Sequence, residues 1–279
     1  MKQKVSIVFS AKELKGVKIE SAKKIHQALK QGRRKFGVAG ASLSWQISCK
    51  EYEKAGVNKK LAQIGLEGEQ TTSQILLKWM ANKPAAVLLE SVHIRDPKNR
   101  SKKLNFNTPE DLLGKWDKEK DEEDDGDEEV ITDGKDTDHI LVIGNNVLLI
   151  DSKKWKEKAT YSITEKGGVM RSNRTFAGST VRMKESIYLW LNYLKDTVAI
   201  TGIVHIVSSN ENTKVIRNKN WFKANWRLCE TNRLIALLDD WYEKSVTETA
   251  KYTIDSGLIA QIAVNCVKPY NPYSKFKRS

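Results

Sequence analysis

The chain has 279 residues, a mass of 31.7 kDa and a formal net charge of +13, with 30% charged and 39% hydrophobic residues. This composition is typical of a folded, water-soluble protein of one large or two modest domains, and it excludes global disorder. The longest nearly apolar run, Val198–Val207, is about half as long as a membrane-spanning helix, so no membrane segment is expected. A sequence pI near 9.4 favours an anionic partner, most often nucleic acid.

The three cysteines, Cys49, Cys229 and Cys266, are far apart and odd in number. Their spacing argues against a disulfide framework, a CxxC zinc site and a four-cysteine iron–sulfur site. Buried thiols in a protein of the reducing cytoplasm are the simplest interpretation. The chain also has neither a GxxxxGK[ST] phosphate loop nor an HExxH motif, so we expect no NTP-driven motor and no histidine zinc site.

The first half of the chain predicts helices followed by a strand. Residues 1–60 form a basic extension, in which Ile19–Leu29 and Ser48–Ala55 have helical spacing. The segment 67–84 is predicted as a helix with one apolar stripe, closed by Pro84. Ala85–Ile94 is rich in aliphatic residues without helical spacing and is predicted as a strand.

A long polar insert, about residues 96–136, separates that strand from the next ordered pattern. Its acidic part, Asp117–Glu129, carries ten carboxylates and two lysines, a local charge of −8. After the insert, two aliphatic runs flank a Gly-Asn-Asn turn, which predicts a β-hairpin over Asp138–Lys153. Tyr161–Thr164 and Val169–Arg171 predict a further strand pair.

The C-terminal half alternates between helical and strand patterns. Helical spacing predicts helices over Thr180–Lys195, Arg233–Lys244 and Ser256–Val267. Val198–Val207 is predicted as a buried strand, and Trp221–Cys229 as containing another. The central order, α-β-β-β-α-β, predicts an α/β core over residues 61–210, followed by an α/β extension over residues 211–279.

The residues that point to chemistry lie at the open end of the predicted hairpin. Asp151 and Lys153 are two residues apart on one strand, so their side chains share a face, and the hairpin register brings Asp138 beside Asp151. Two carboxylates at a sheet edge suit Mg²⁺, and a nearby lysine can orient water and stabilise charge on a phosphate. Taken alone, Asp-x-Lys favours a salt-bridged strand end over a metal site, because so short a motif often occurs by chance.

Three motifs in order give this constellation a family context. They are Gly65–Glu69 (GLEGE), Asp138–Ile143 (DHILVI) and Val147–Trp155 (VLLIDSKKW). Together they resemble the nuclease-related domain (NERD) family, within the PD-(D/E)xK nuclease superfamily. The resemblance spans residues 65–194. It implies a restriction-endonuclease-like core, in which a central mixed sheet is flanked by helices.

The resemblance further implies an Mg²⁺- or Mn²⁺-dependent deoxyribonuclease, acting as an endonuclease or nickase. Asp138 and Asp151 would be metal ligands, Lys153 the catalytic lysine, and Glu69 a third acidic contributor, whereas Glu67 is a weaker candidate. Asp151 stands where the family more often has Glu. The alternative is a non-catalytic DNA-binding module with the same fold and basic surface.

Basic and aromatic residues around this constellation predict contacts with the DNA backbone. Trp155 is suited either to stacking on a base or to packing beneath the sheet, and His139 is expected to be a packed structural histidine. The family tends to carry a glutamine near residues 179–184, which this chain lacks. Arg182 or Lys184 would replace it as a phosphate contact, and a homo-oligomer stays open. The predicted contact residues are Lys154, Trp155, Lys156, Arg171, Arg174, Arg182 and Lys184.

The acidic run Asp117–Glu129 has three interpretations: a solvated loop, a flap that mimics nucleic acid and covers the basic cleft, and a cation sink. The cation sink is disfavoured because the carboxylates lack the spacing of metal ligands. If it is a flap, deleting residues 117–129 removes a competing polyanion, and DNA binding or cleavage at low salt rises. A filter-binding titration and a nicking assay of the deletion variant measure both. Unchanged binding and cleavage would contradict the flap and leave the solvated loop.

Overall fold

The computed structural model describes residues 7–9, 26–38, 59–95, 134–155, 158–165, 168–172, 176–177, 181–194, 198–209, 211–248 and 254–263. The predicted helix over Ser48–Ala55 and the acidic run Asp117–Glu129 therefore lie outside the described residues, as does most of the predicted helix Ile19–Leu29. Within these described ranges, no helix is long and apolar enough to cross a membrane.

Five helices and eleven strands are defined at both ends in the described part of the chain, which also contains the helical residues 26–30 at the end of the predicted helix Ile19–Leu29. The helices are α1 (Lys59–Met80), α2 (Val181–Leu194), α3 (Lys219–Lys223), α4 (Thr231–Glu248) and α5 (Ser256–Ala263). The first five strands are β1 (Ile7–Phe9), β2 (Lys35–Val38), β3 (Val87–Arg95), β4 (Gly134–Ile143) and β5 (Asn146–Lys153). The others are β6 (Thr160–Ile163), β7 (Val169–Arg171), β8 (Phe176–Ala177), β9 (Ala199–Ile206), β10 (Lys214–Ile216) and β11 (Trp226–Glu230).

The strands form two sheets. A seven-stranded sheet has the order β1-β2-β3-β4-β5-β9-β11, and a four-stranded sheet has the order β10-β6-β7-β8. In the large sheet β4 is antiparallel to β3 and β5, whereas β9 is parallel to both β5 and β11. The chain is thus an α/β protein built on a central mixed sheet, and this part of the fold prediction is confirmed.

Helices cover both faces of the large sheet because its central strands are apolar on both sides. On one face, Leu76 of α1 and Leu234 of α4 pack with Leu141 and Ile150 of the hairpin. The next residue along each strand points to the other face, where a second cluster packs beneath α2 and α5. Its members include Ile140, Leu149, Val204, Trp190 and Ile259. This two-sided burial is typical of a sheet between two helical layers.

The elements around the site confirm most of the sequence predictions. The hairpin β4–β5 is present, and Gly144, with φ 55°, lies in its turn, where a left-handed conformation favours glycine. Helix α1 is longer than predicted and begins at Lys59 rather than near Glu67. Strand Lys35–Val38, which pairs with β3, was not predicted.

The small sheet is attached where β5 and β9 end. The amide of Val207 donates to the carbonyl of Lys153 at 2.8 Å, which continues the pairing of the two strands past their last residues. The segments that follow β5 and β9 stay side by side, since the amide of Lys214 donates to the carbonyl of Ala159 at 3.1 Å. Strands β6 and β10 then pair in parallel. The small sheet therefore extends from the edge of the large sheet at which Asp151 and Lys153 lie.

Gly202 of β9 allows α2 to pack closely against the large sheet. A Cβ at this position would lie 2.4 Å from Sδ of Met183 and 2.9 Å from its Cγ. Because Met183 is itself buried, we expect Gly202→Val to lower the free energy of unfolding by about 1–3 kcal/mol, measured by urea denaturation. Ala199→Val, at an exposed position of the same strand, is the control. Equal stability of the two variants would contradict the close packing.

Candidate active site

Strand β5 carries two different sets of side chains at its end. Asp151 and Lys153 share one face, and Nζ of Lys153 lies 3.0 Å from Oδ1 of Asp151. Ser152 and Lys154 point to the opposite face, toward α1, where the hydroxyl of Ser152 donates to Oγ1 of Thr72 at 2.9 Å. The alternation of a β-strand thus separates an acid–lysine pair from the residues that fasten the strand to the helix.

Asp138 is joined to the end of β5 by a hydrogen bond. The paired residues of the hairpin extend from Ile143–Asn146 to His139–Ile150, and Asp138 follows directly. There Oδ2 of Asp138 accepts a hydrogen bond from the backbone amide of Ser152 at 2.6 Å. The carboxylate therefore takes the place of a backbone carbonyl at the open end of the hairpin. This contact brings Asp138 next to the strand segment that holds Asp151 and Lys153.

The electrostatics of Asp138 show which charges surround it. Burial raises the pKa of Asp138 well above its usual range, and the negative charges of Glu69 and Asp151 raise it further. Lys153 and His139 act in the opposite direction. The structure thus brings Glu69, Asp151 and Lys153 within electrostatic reach of Asp138, although the four residues come from a helix and two strands.

Helix α1 approaches the end of β5 closely enough to place Glu69 there. Gly68 is buried, and a Cβ on it would lie 3.3 Å from Cβ of Lys154 and 3.5 Å from its backbone nitrogen. One residue earlier, Glu67 forms an ion pair with Lys154, with Oε2 2.6 Å from Nζ. Glu67 therefore binds the lysine on the opposite face of β5, whereas Glu69 contributes its charge to Asp138.

A layer of buried polar groups holds α1 on the sheet. Oγ1 of Thr72 donates to the carbonyl of Gly68 and lies 2.8 Å from Nδ1 of His205 on β9. Nε2 of His205 in turn lies 3.1 Å from Oγ1 of Thr231, the first residue of α4. In the sequence, His205 belongs to no histidine motif. In the structure, its two ring nitrogens contact residues of two different helices, Thr72 of α1 and Thr231 of α4. Only its place in an apolar strand signals that it is buried.

Glu90 and His139 form a second polar contact on the same face of the sheet. The hydroxyl of Ser73 on α1 donates to Oε1 of Glu90 at 2.5 Å, and Nζ of Lys35 lies 2.7 Å from its Oε2. Despite burial, the neighbouring His139 and Lys35 lower the pKa of Glu90 to about 2. His139 is only 3% exposed, and within the described ranges neither of its ring nitrogens has a hydrogen-bond partner. This burial agrees with the structural role expected of His139.

The acidic residues near the end of β5 match a hard divalent cation in charge and donor type but not in spacing. Glu69, Asp138 and Asp151 carry carboxylate oxygens, which Mg²⁺ prefers. Burial and the negative charges of Glu69 and Asp151 raise the pKa of Asp138. Oδ2 of Asp138 and Oδ1 of Asp151 are engaged by Ser152 and Lys153, respectively. In the described part of the chain, no three acidic, histidine or cysteine side chains are grouped closely enough to hold a metal ion.

The residues predicted to contact DNA differ in exposure and in their contacts within the protein. Lys154 is paired with Glu67, and Trp155 packs on Tyr161 with ring centroids 5.5 Å apart, which favours the packing role over base stacking. Arg171 and Lys184 are half-buried, and the charge of Arg171 slightly offsets the burial that raises the pKa of Tyr161. Lys156, Arg174 and the side chain of Arg182 lie outside the described residues.

The cysteine prediction is confirmed for Cys229. This thiol is buried beneath α4, and burial raises its pKa far above the usual range, so it stays protonated and unreactive. Cys49 and Cys266 lie outside the described residues.

Comparisons with known proteins do not place the chain in a family. No protein-family model matches it, and neither does any curated protein or solved structure. The resemblance to the nuclease-related domain stays a prediction from the three motifs.

The buried His205 makes stability depend on pH. Burial, together with the charge of His139, lowers the pKa of His205 from 6.5 to about 3. Below pH 6.5 the unfolded chain takes up a proton at this residue, whereas the folded chain does so only near pH 3. We therefore expect the free energy of unfolding to fall by about 1 kcal/mol per pH unit between these limits because of His205.

Urea denaturation at about pH 7 and about pH 5 measures this dependence. His205→Gln should reduce the stability difference between the two pH values, even though the variant is less stable at both. His26→Gln, at an exposed histidine, is the matched control. An identical pH difference in wild type and His205→Gln would show that His205 is not held neutral.

Proposed function

We propose that this protein is a metal-dependent deoxyribonuclease, an endonuclease or nickase that hydrolyses phosphodiester bonds. The observation that carries the proposal is the contact between Asp138 and the amide of Ser152. Through it, two carboxylates and Lys153 share the end of one strand, with the charge of Glu69 beside them. A structural salt bridge needs only the pair Asp151–Lys153, so the additional buried carboxylates favour a functional site.

The order of elements supports a restriction-endonuclease-like core of the kind that the motif resemblance implies. Helix α1 is followed by β3, β4 and β5, then by α2 and β9, which is the order α-β-β-β-α-β with β6–β8 inserted. The acid–lysine pair ends the third of these strands, and Glu69 lies on the first helix. In support of the resemblance, the DHILVI motif falls on β4 and the VLLIDSKKW motif on β5 and the two residues after it, whereas GLEGE lies within α1 and not at a helix start.

In the proposed mechanism, Asp138, Asp151 and Glu69 would move closer together to hold Mg²⁺ or Mn²⁺, and the ion would supply positive charge beside the scissile phosphate and lower the pKa of a water molecule. Asp151 keeps the ammonium of Lys153 at the strand end, as the 3.0 Å contact indicates. Lys153 orients the attacking water and donates a hydrogen bond to the phosphoryl oxygens as negative charge develops. The water oxygen forms the new bond to phosphorus, the leaving oxygen departs and takes up a proton, and one water molecule is consumed.

A non-catalytic DNA-binding module is the second candidate. The engagement of carboxylate oxygens by Ser152 and Lys153 favours it, because those oxygens already have partners within the protein. In that case Asp138 closes the hairpin and Asp151 neutralises Lys153, and neither takes part in turnover. Charge supports the two candidates equally, so only an assay of cleavage separates them.

We expect the wild type to nick or cut plasmid DNA with Mg²⁺ or Mn²⁺, and Asp151→Asn and Lys153→Ala each to slow this about 100-fold or more. Supercoiled, nicked and linear forms on an agarose gel measure the rate. Asp240→Asn and Lys244→Ala, at exposed positions of α4, are controls with the same chemical changes and should cut at the wild-type rate.

Two results would contradict the enzyme. Cleavage that survives both substitutions would place the active site elsewhere in the chain or in a contaminating nuclease. A DNA mobility shift without cleavage by the wild type would favour the binding module. EDTA should abolish cleavage by the wild type, since the proposed reaction requires a divalent cation.

A further inference from the structure

The segment that carries β10 and α3 combines positive charge with aromatic residues. Between Glu211 and Glu230 the sequence contains five lysines or arginines and no carboxylate. The same segment contains Trp221, Phe222 and Trp226. None of these residues belongs to the candidate active site. Positive charge interleaved with aromatic rings is typical of surfaces that bind nucleic-acid strands.

Helix α3 is fixed on the small sheet from below. The side chain of Asn218 caps the helix by accepting from the amides of Asn220 and Trp221, and its Nδ2 donates to the carbonyl of Ile163 at 2.8 Å. Nε1 of Trp221 donates to the carbonyl of Leu228 at 2.9 Å, and the Trp221 ring is buried. These bonds fix α3 to both β6 and β11. The exposed side chains of α3 therefore extend from a backbone whose position is fixed.

The outer side chains form what we call the basic platform, made of Lys214, Arg217, Lys219, Phe222 and Lys223. All five are exposed, and Phe222 is 64% exposed although it is a large apolar ring. The guanidinium of Arg217 lies 5.0 Å from the centre of the buried Trp221 ring, which restricts its position. Phe222 packs edge-on against Trp221, with ring centroids 5.0 Å apart, and the part of its ring that stays exposed offers a flat surface to a base.

The small sheet, which carries β10, adjoins the end of β5. It begins where β5 and β9 end, and the amide of Lys158 donates to Oγ1 of Thr213 at 3.2 Å, which joins the segments that follow the two strands. Lys153, at the end of β5, is five residues before Lys158. The end of β5 and the small sheet are therefore directly connected.

We propose that the basic platform binds single-stranded DNA, with phosphates on Arg217, Lys219 and Lys223 and an unpaired base stacked on Phe222. Three points support this partner: the charge is opposite to that of DNA, the Phe222 ring is 64% exposed although it packs edge-on against Trp221, and the small sheet continues from the end of β5. The proposal deepens the proposed function by assigning the strand a path away from the scissile phosphate. Binding itself does not require cleavage.

Fluorescence anisotropy with a labelled single-stranded oligonucleotide in EDTA tests the phosphate contacts. Arg217→Ala, Lys219→Ala and Lys223→Ala combined should weaken binding about 10-fold or more and lower the slope of log K against log salt concentration by about 2. The control combines Lys30→Ala, Lys78→Ala and Lys244→Ala, which removes the same charge from exposed positions outside the small sheet. Equal losses in the two triple variants would overturn the proposal.

Phe222→Ala tests the stacking, and a labelled duplex of the same sequence is measured alongside. We expect affinity for the single strand to fall about 10-fold, affinity for the duplex to stay unchanged, and Phe222→Trp to restore single-strand binding. Because Phe222 is mostly exposed, circular dichroism and thermal melting should match the wild type. Unchanged single-strand affinity in Phe222→Ala, or an equal loss for the duplex, would overturn the stacking.

The two proposals fail in different ways. If the wild type binds single-stranded DNA through the basic platform but never cleaves DNA, the nuclease fails and the platform stands. If it cleaves DNA but the platform variants bind normally, the platform fails and the nuclease stands.

Discussion

The candidate active site depends on one hydrogen bond, between the carboxylate of Asp138 and the backbone amide of Ser152. The hairpin register brings Asp138 near the end of β5, and this bond fixes its carboxylate there, since the paired residues stop at His139 and Ile150. The position has an electrostatic cost, because burial and the negative charges of Glu69 and Asp151 raise the pKa of Asp138. The cost is offset by the short bond to the amide and by the charge of Lys153.

The polar layer beneath α1 explains how the fold sustains this arrangement. Thr72 is hydrogen-bonded to both Ser152 and His205, all three side chains are buried, and each comes from a different element. A buried polar group left without its partner costs about 1–3 kcal/mol, so these three fix the position of α1 along the sheet more specifically than apolar contacts would. Since α1 carries Glu69, the same bonds determine how near that carboxylate comes to Asp138.

The sequence was most informative where neighbouring residues determine structure. The aliphatic runs around Gly144 predict the β4–β5 hairpin, and the hairpin register is enough to bring Asp138 toward Asp151. Contacts between residues far apart in the sequence could not be predicted in this way, because hydrophobic periodicity describes each segment separately. His205 and Thr72 are 133 residues apart, and no periodic pattern connects them. The packing of Trp155 on Tyr161 was likewise undetermined, because a tryptophan after a strand suits a buried position and a binding surface equally.

The net charge of +13 takes on a different meaning once the charges are located. The acidic run Asp117–Glu129 carries −8, which leaves +21 on the rest of the chain. Around the candidate site, several basic residues are tied to the protein itself, as Lys153 is to Asp151 and Lys154 to Glu67. These pairs reduce the charge that the strand end offers to a phosphate backbone. The cations of β10 and α3, by contrast, are exposed. Among the described residues they offer a polyanion more accessible positive charge than Lys153 and Lys154, which are paired with carboxylates.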